Sequence, residues 1–136
     1  MPEKNLPQEI SGFKSKGGMK RIFSAMLYSF DGLVSAWKYE HSFRQELIVV
    51  AIGVIVALLL PISAFQKLLL IIVLVLVLIV ELINSAIEAV VDRVSLERHT
   101  LSKNAKDYGS AAVLLACLIA LATWSVVLYH CFGWGN

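Results

Sequence analysis

The sequence predicts an all-α membrane protein: an N-terminal amphipathic surface helix plus three transmembrane helices. Three observations carry that prediction. The 136 residues are 58% apolar and only 16% charged, whereas a soluble domain is usually about 45–50% apolar and about 25% charged. Mean hydropathy is +0.75, and the apolar residues are gathered into three long runs behind a polar lead. The basic residues flank those runs on one side far more than on the other.

Taken in order, residues 1–18 carry Pro2, Pro7, Gly12, Gly17 and Gly18 among Lys and Glu, and read as a disordered polar tail. Residues 19–136 read as a single membrane domain, since the length allows one domain at most. From Lys20 to Glu40 the pattern is helical. On a wheel of 100° per residue, Ile22, Phe23, Ala25, Met26, Leu27, Phe30, Leu33, Val34, Ala36 and Trp37 cover one broad face. Lys20, Arg21, Ser24, Tyr28, Asp31, Ser35, Lys38 and Tyr39 fall on the other, as expected of a helix lying on a membrane. A spanning helix needs about 20 residues. The first span is expected at about 44–65, with Pro61 near its end, the second at about 68–91 and the third at about 110–132.

Orientation follows from the twelve basic residues. Lys4, Lys14, Lys16, Lys20, Arg21, Lys38 and Arg44 precede the first span, and Arg93, Arg98, Lys103 and Lys106 lie between the second and third. Only Lys67 lies between the first and second. The positive-inside rule then puts the N-terminus and the second loop in the cytoplasm and the C-terminus outside. The polar candidates all cluster on that cytoplasmic side, where ATP is.

Several function classes drop out. No signal peptide is expected, because the first apolar run begins only at Leu47. Cys117 and Cys131 show no CxxC spacing and argue for neither a disulfide scaffold nor a metal site. No phosphate-loop motif, no protein-kinase set and no HExxH is present, and basic residues do not alternate with aromatics as nucleic-acid binding would want. The chain is also too short to enclose a nucleotide and a lipid-sized substrate in a private core. An enzyme acting on such substrates would borrow surface from copies of itself.

The chemistry concentrates in the second span. Glu81, Asn84, Glu88 and Asp92 stand at i, i+3, i+7 and i+11, a stripe about 80° wide on one helix face. A charged residue inside a span costs about 3 kcal/mol on insertion scales, so a function is the first expectation for it. Carboxylates about two turns apart suit a hard cation such as magnesium, and the carboxylate deepest in the span, Glu81, suits a general base toward an alcohol. Such a stripe can also serve only to join helices by hydrogen bonds. Beside it lie two weaker clusters. Tyr39 to Glu46 contains Glu40, which falls off the polar face of the surface helix, together with Arg44 and Glu46. The second loop, Asp92 to Gly109, carries Glu97, Arg98, His99, Lys103, Lys106 and Asp107, which suit phosphate or an ordinary positive-inside loop.

The segment Val80-Glu-Leu-Ile-Asn-Ser-Ala-Ile-Glu-Ala-Val-Val-Asp-Arg93 resembles the signature of the prokaryotic integral-membrane diacylglycerol kinases. Phe43-Arg-Gln-Glu46, Ala105-Lys-Asp107 and Gly109-Ser-Ala-Ala-Val113 match in the same order and spacing, so the resemblance runs from about Arg21 to Phe132. It implies a homotrimer of three-span subunits in the bacterial inner membrane, with active sites shared between subunits at the cytoplasmic side. The implied reaction moves the γ-phosphate of MgATP to the primary hydroxyl of diacylglycerol, giving phosphatidate. Carried onto this chain, the resemblance implies Glu81 as the general base and Glu40 and Glu88 as magnesium ligands that also touch nucleotide. Arg21, Tyr28, Glu97, His99, Lys106 and Asp107 match nucleotide-contacting positions, while Asn84 and Asp92 belong to the same polar wall. Trp37, Arg44, Glu46, Ser110 and Trp124 would lie along the lipid site.

Two other functions share features with this one. Related Gram-positive proteins prefer undecaprenol as the acceptor and would share the carboxylate machinery. A small proton-coupled transporter would also carry membrane carboxylates, but at mid-membrane on more than one span.

Overall fold

The computed structural model describes residues 18–94 and 99–133. Residues 1–17, on which nearly all of the expected tail falls, and Glu97, an expected nucleotide contact, lie outside the described residues. Four helices follow in order: α1 (Gly18–Tyr39), α2 (His41–Leu59), α3 (Ala64–Val94) and α4 (Thr100–Cys131). The last three are long and apolar enough to cross a membrane.

Each boundary has a local cause. α1 and α2 are parted by one residue, Glu40, whose backbone is extended at φ −100° and ψ 111°. α2 stops at Leu59 because Pro61 follows: Leu60, the residue before the proline, takes the extended ψ of 140° that proline imposes on its predecessor. The helix therefore ends several residues before the expected 65. Across that turn Lys67 Nζ donates to Leu58 O (2.7 Å), satisfying a carbonyl at the end of α2. α3 opens on a reciprocal cap: Ser63 N–H donates to Gln66 Oε1 (2.9 Å), and Gln66 N–H donates to Ser63 Oγ (3.2 Å). α4 starts at Thr100, ten residues before its apolar run, with His99 as its N-cap. Its two polar interruptions are satisfied internally, Thr123 Oγ1 donating to Ile119 O (2.8 Å) and Ser125 Oγ to Leu121 O (2.7 Å).

α3 packs against both α2 and α4. Two buried clusters show the register. Val73 and Val77 of α3 meet Ala116 and Ala120 of α4, and Leu70 meets Ala57 of α2 and Val127 of α4. Ascending numbers on α3 meet descending numbers on both neighbours, so α2 and α4 run antiparallel to α3. Small residues set the spacing, as in membrane helix pairs generally. At Gly53 a β-carbon would stand 2.7 Å from Leu74 Cδ1, so α2 and α3 approach closely there and a larger residue would turn the Leu74 side chain aside.

At 1.5 Å per residue, α3 and α4 are each about 46–48 Å long against a hydrocarbon core of about 30 Å. The surplus falls at one end, where α3 turns polar beyond Val80 and α4 is polar before Ala111. The start of α2, the end of α3 and the start of α4 meet at that end.

α1 stands apart as a unit up to Val34. Its apolar residues Ile22, Phe23, Met26, Leu27 and Phe30 are all at least half exposed.

Leu70 is fully buried where the three helices meet. Leu70→Ala should cost about 2 kcal/mol, the low end of the range for core truncations, because lipid or detergent offers the freed apolar surface an alternative partner. Reversible unfolding by SDS in mixed micelles measures this, with exposed Leu59→Ala as the near-neutral control; equal losses for both would refute tight packing at Leu70.

Candidate active site

The buried residues of α3 are Leu70, Val73, Val77, Glu81 and Asn84. Their steps of three and four define one face, so the apolar packing seam turns polar without leaving that face. Glu81 is 5% and Asn84 8% exposed; one and two turns further on, Glu88 is half-buried and Asp92 exposed. The stripe thus grades from the bundle interior to its polar end.

α4 faces the stripe with Gly109 and Lys106. Lys106 Nζ pairs with Asp92 Oδ1 at 2.6 Å. Asn84 Nδ2 donates to Glu88 Oε1 at 3.2 Å. Asn84 Oδ1 is buried against Gly109 and has no hydrogen-bond partner.

The joint before α2 supplies the third side. Glu40 N–H donates to Ala36 O (2.9 Å), and Arg44 N–H donates to Glu40 O (3.3 Å), so the backbone of Glu40 ends one helix and starts the next. Its side chain makes no capping bond and is left available. Arg44 holds the joint by donating from one guanidinium nitrogen to Trp37 O and Lys38 O, both 3.1 Å. The carboxylates of Glu88 and Glu40 lie within electrostatic reach of Glu81, and so does that of Glu46 on α2. Lys106 is in turn within reach of Glu88. The structure therefore brings Glu40, Glu46, Glu81, Asn84, Glu88, Asp92 and Lys106 into one acid-rich group.

Beside this group a groove of about 630 Å³ runs between α2, α3 and α4. Its walls are apolar except near Gln45, Glu46, Cys117, Trp124 and Ser125. Two buried polar atoms on its lining residues, Glu46 Oε2 and Trp124 Nε1, have no partner. One is an acceptor and the other a donor, as a ligand carrying a hydroxyl and a carbonyl would require.

The remaining sequence candidates have other surroundings. Arg21 and Tyr28 are exposed on α1, and Trp37 and Ser110 are exposed. His99 Nδ1 accepts from Leu101 N–H at 3.2 Å and so caps α4. Asp107 pairs with Lys103 at 2.5 Å along the outside of α4. Gly109, which seats Asn84, is a contributor that sequence reasoning passed over; its place in the Gly109-Ser-Ala-Ala match was visible, but its contact across the seam was not.

The donor set suits a hard divalent cation in one specific way. Among the described residues no three His, Cys, Asp or Glu side chains converge to hold an ion by themselves. Glu40 and Glu88 are each half-buried and so reachable from outside, and magnesium is usually bound through only one or two carboxylates plus water and substrate phosphates.

Three membrane-length helices with a carboxylate seam ending in a polar recess define a membrane-embedded protein with its site at one end of the bundle. The profile of the prokaryotic diacylglycerol kinase family matches residues 27–128. Over 118 residues the chain is 51% identical to a diacylglycerol kinase of Pseudomonas aeruginosa, covering 87% of this chain and 96% of that one. Over 116 residues it is 50% identical to a diacylglycerol kinase of Escherichia coli K12, covering 85% and 95%. A diacylglycerol kinase of Helicobacter pylori is 42% identical over 107 residues, covering 79% and 84%. The chain belongs to the prokaryotic diacylglycerol kinase family.

The Lys106–Asp92 pair is partly exposed, with side chains 38% and 56% accessible. A double-mutant cycle with Lys106→Met and Asp92→Asn should give a small coupling that shrinks with added salt. SDS unfolding at two ionic strengths tests this; a large coupling that salt leaves unchanged would make the pair a structural pin.

Proposed function

We propose that the protein is a lipid kinase that transfers the γ-phosphate of MgATP to the primary hydroxyl of 1,2-diacylglycerol, giving phosphatidate. The observation that carries this function is kinship, since the family match covers residues 27–128 and the relatives at about half identity are diacylglycerol kinases. The geometry supports the division of labour.

Glu81 is the general base. It is the buried end of the carboxylate stripe, one turn beyond Val77 of the groove wall and within electrostatic reach of Glu46, which also lines the groove, so an alcohol held in the groove would approach it. Its carboxylate takes the hydroxyl proton as the oxygen attacks the γ-phosphorus in line, the O–P bond to the leaving group breaks and ADP departs. Glu40 and Glu88 would hold a magnesium ion through hard carboxylate oxygens, and the ion would supply positive charge for the phosphates. Lys106, held by Asp92, presents a further positive charge beside Glu88. Asn84 and Asp92 complete the polar wall. Arg21, Tyr28, Glu97, His99 and Asp107 are assigned to the nucleotide; for His99 this is a second duty, through the ring nitrogen not used as the cap.

The groove takes the lipid. Its volume of about 630 Å³ is in the range of small-molecule pockets, about 300–1,000 Å³, and fits a glycerol backbone with the first part of the chains, the rest lying in the bilayer. Glu46 Oε2 and Trp124 Nε1 match a hydroxyl and an ester carbonyl. An undecaprenol offers no carbonyl to Trp124, which favours the acylglycerol. Trp37, Arg44 and Ser110 flank the lipid, with Arg44 also holding the α1–α2 joint.

The setting follows from charge and exposure. Lys38, Arg44, Arg93, Lys103 and Lys106 gather around the site end of the bundle, which supports a cytoplasmic site and N-terminus in a bacterial inner membrane, with the C-terminus outside. The exposed apolar residues of α1 support its lying on the bilayer surface. The many exposed apolar residues of α2 and α4, such as Val49, Ile52, Leu114 and Leu118, suit both lipid and contact with further copies, in keeping with a homotrimer whose subunits share sites.

The test is transfer from γ-labelled ATP by purified protein in mixed micelles, offered diacylglycerol or undecaprenol, with and without magnesium. Magnesium-dependent phosphatidate as the faster product is expected. Faster undecaprenyl phosphate would change the acceptor, and neither product would remove the kinase assignment. Glu81→Gln should lower turnover by about 10²–10⁴-fold with assembly unchanged by size-exclusion chromatography; near-normal turnover would remove Glu81 from the base role.

A further inference from the structure

We propose that Gly109 is a positioning residue of the cation and nucleotide site. Its missing side chain seats the Asn84 carboxamide, and the seated carboxamide fixes the carboxylate of Glu88. The inference rests on the role proposed above for Glu88 and extends it to a residue that touches neither substrate.

The contact is specific. A β-carbon built on Gly109 would collide with Asn84 Oδ1 and stand 3.1 Å from its Cγ and 3.7 Å from its Cβ. The carboxamide oxygen therefore occupies the space where any other residue of α4 would carry a side chain. The other half of the carboxamide points the opposite way, Nδ2 donating to Glu88 Oε1 at 3.2 Å. Asn84 Oδ1 is buried and accepts no hydrogen bond. No polar partner holds that side of the amide, so shape holds it: the oxygen fits against the bare backbone of α4, and this leaves the N–H edge turned toward Glu88.

Other glycines differ. At Gly53 a β-carbon would meet the end methyl of Leu74, a flexible chain that can turn aside, and at Gly32 it would meet nothing. Only at Gly109, among these, is the obstructed group a buried polar side chain that is itself bonded to a candidate cation ligand. A β-carbon at 109 forces the Asn84 carboxamide to swing away, and the bond to Glu88 goes with it. Glu88 is half-buried on the exposed side of the stripe, and without that bond its carboxylate is free to turn among rotamers and to offer its oxygens in the wrong direction.

The probe is Mn²⁺, whose binding is read by electron paramagnetic resonance of the free ion. The full chain is used in detergent micelles with a non-hydrolysable ATP analogue. Partners that orient a ligand typically contribute about 10–100-fold to metal affinity, so Gly109→Ala should weaken Mn²⁺ binding about tenfold or more. Asn84→Ala should weaken it to a similar extent. The double variant Asn84→Ala/Gly109→Ala should bind as Asn84→Ala does, since the residue Gly109 positions is already gone. Wild-type affinity in Gly109→Ala, or losses that multiply in the double variant, would overturn the proposal. If Gly109→Ala does not fold, the double variant decides: folding with the affinity of Asn84→Ala supports the role, and failure to fold assigns Gly109 to helix packing alone. Glu88→Gln separates the two levels. Unchanged Mn²⁺ affinity there removes the ligand role proposed above, whereas a loss in Glu88→Gln beside none in Gly109→Ala removes only the positioning role.

Discussion

The structure depends on one face of α3 serving two ends. The three-and-four repeat that buries Leu70, Val73 and Val77 between α2 and α4 continues unbroken to Glu81 and Asn84. A helix keeps its face as long as it keeps its pitch, so the packing that assembles the bundle also decides where the carboxylates point. Nothing else on α3 is needed to aim them. The small residues opposite, Ala116 and Ala120 against the valines and Gly109 against Asn84, let the helices approach closely along the whole seam. The polar end of the seam is therefore no looser than its apolar part, and a rigid element carries the residues that need definite positions.

Length explains how a membrane helix tolerates this. Counted from Ala64, Glu81 lies about 26 Å along α3 and Glu88 about 36 Å, against a hydrocarbon core of about 30 Å. A core beginning at Ala64 would put the first carboxylate near its far boundary and the second beyond it. A carboxylate at the bilayer centre is costly, but the cost falls toward the interface, where water and snorkelling cations reach it. Asn84 bonds Glu88 and Lys106 pairs with Asp92 in the part that overshoots, so the stripe needs only Glu81 to be held against the interior. That position joins the apolar seam to the polar end of the stripe, which is what the proposed transfer between a lipid hydroxyl and a nucleotide would need.

Much of this was legible in the residues. The stripe at i, i+3, i+7 and i+11 and the three apolar runs depend only on helical period and hydropathy, which a sequence carries directly. Glu40 falling off the polar face of its helix set it apart from the polar residues of α1, but the one-residue joint it forms there was not foreseen. The helix ends were less legible. Residues 100–110 are mostly polar, so hydropathy started the third span only at about 110, yet they form the start of α4, where His99 caps it and Lys103–Asp107 staples it. Arg44 read as a lipid contact, and its bonds to the carbonyls of Trp37 and Lys38 follow from the one-residue joint at Glu40, which composition does not reveal. Gly109 is the clearest case. A glycine inside a helical pattern costs about 1 kcal/mol relative to alanine, which marks it as unusual, but its purpose lies in a contact with Asn84, 25 residues earlier, that exists only once α3 and α4 pack.

The balance of charge at the site bears on why the proposed reaction needs a divalent cation. Glu40, Glu46 and Glu88 all lie within electrostatic reach of Glu81, and Lys106, the cation facing them, already pairs with Asp92. A nucleotide brings more negative charge to a recess that is acidic before it arrives, and in a partly desolvated place such repulsion is weakly screened. Glu40 and Glu88 resolve this if a magnesium ion lies between them and the phosphates, turning repelling carboxylates into ligands. In the proposed reaction the acidity of the recess would then act as a filter, repelling free nucleotide and admitting the metal complex. Among the described residues no ion pair holds Glu81, which suits the base role proposed for it. Metal dependence and base catalysis would thus come from one arrangement, the crowding of carboxylates along the polar end of the α3 seam.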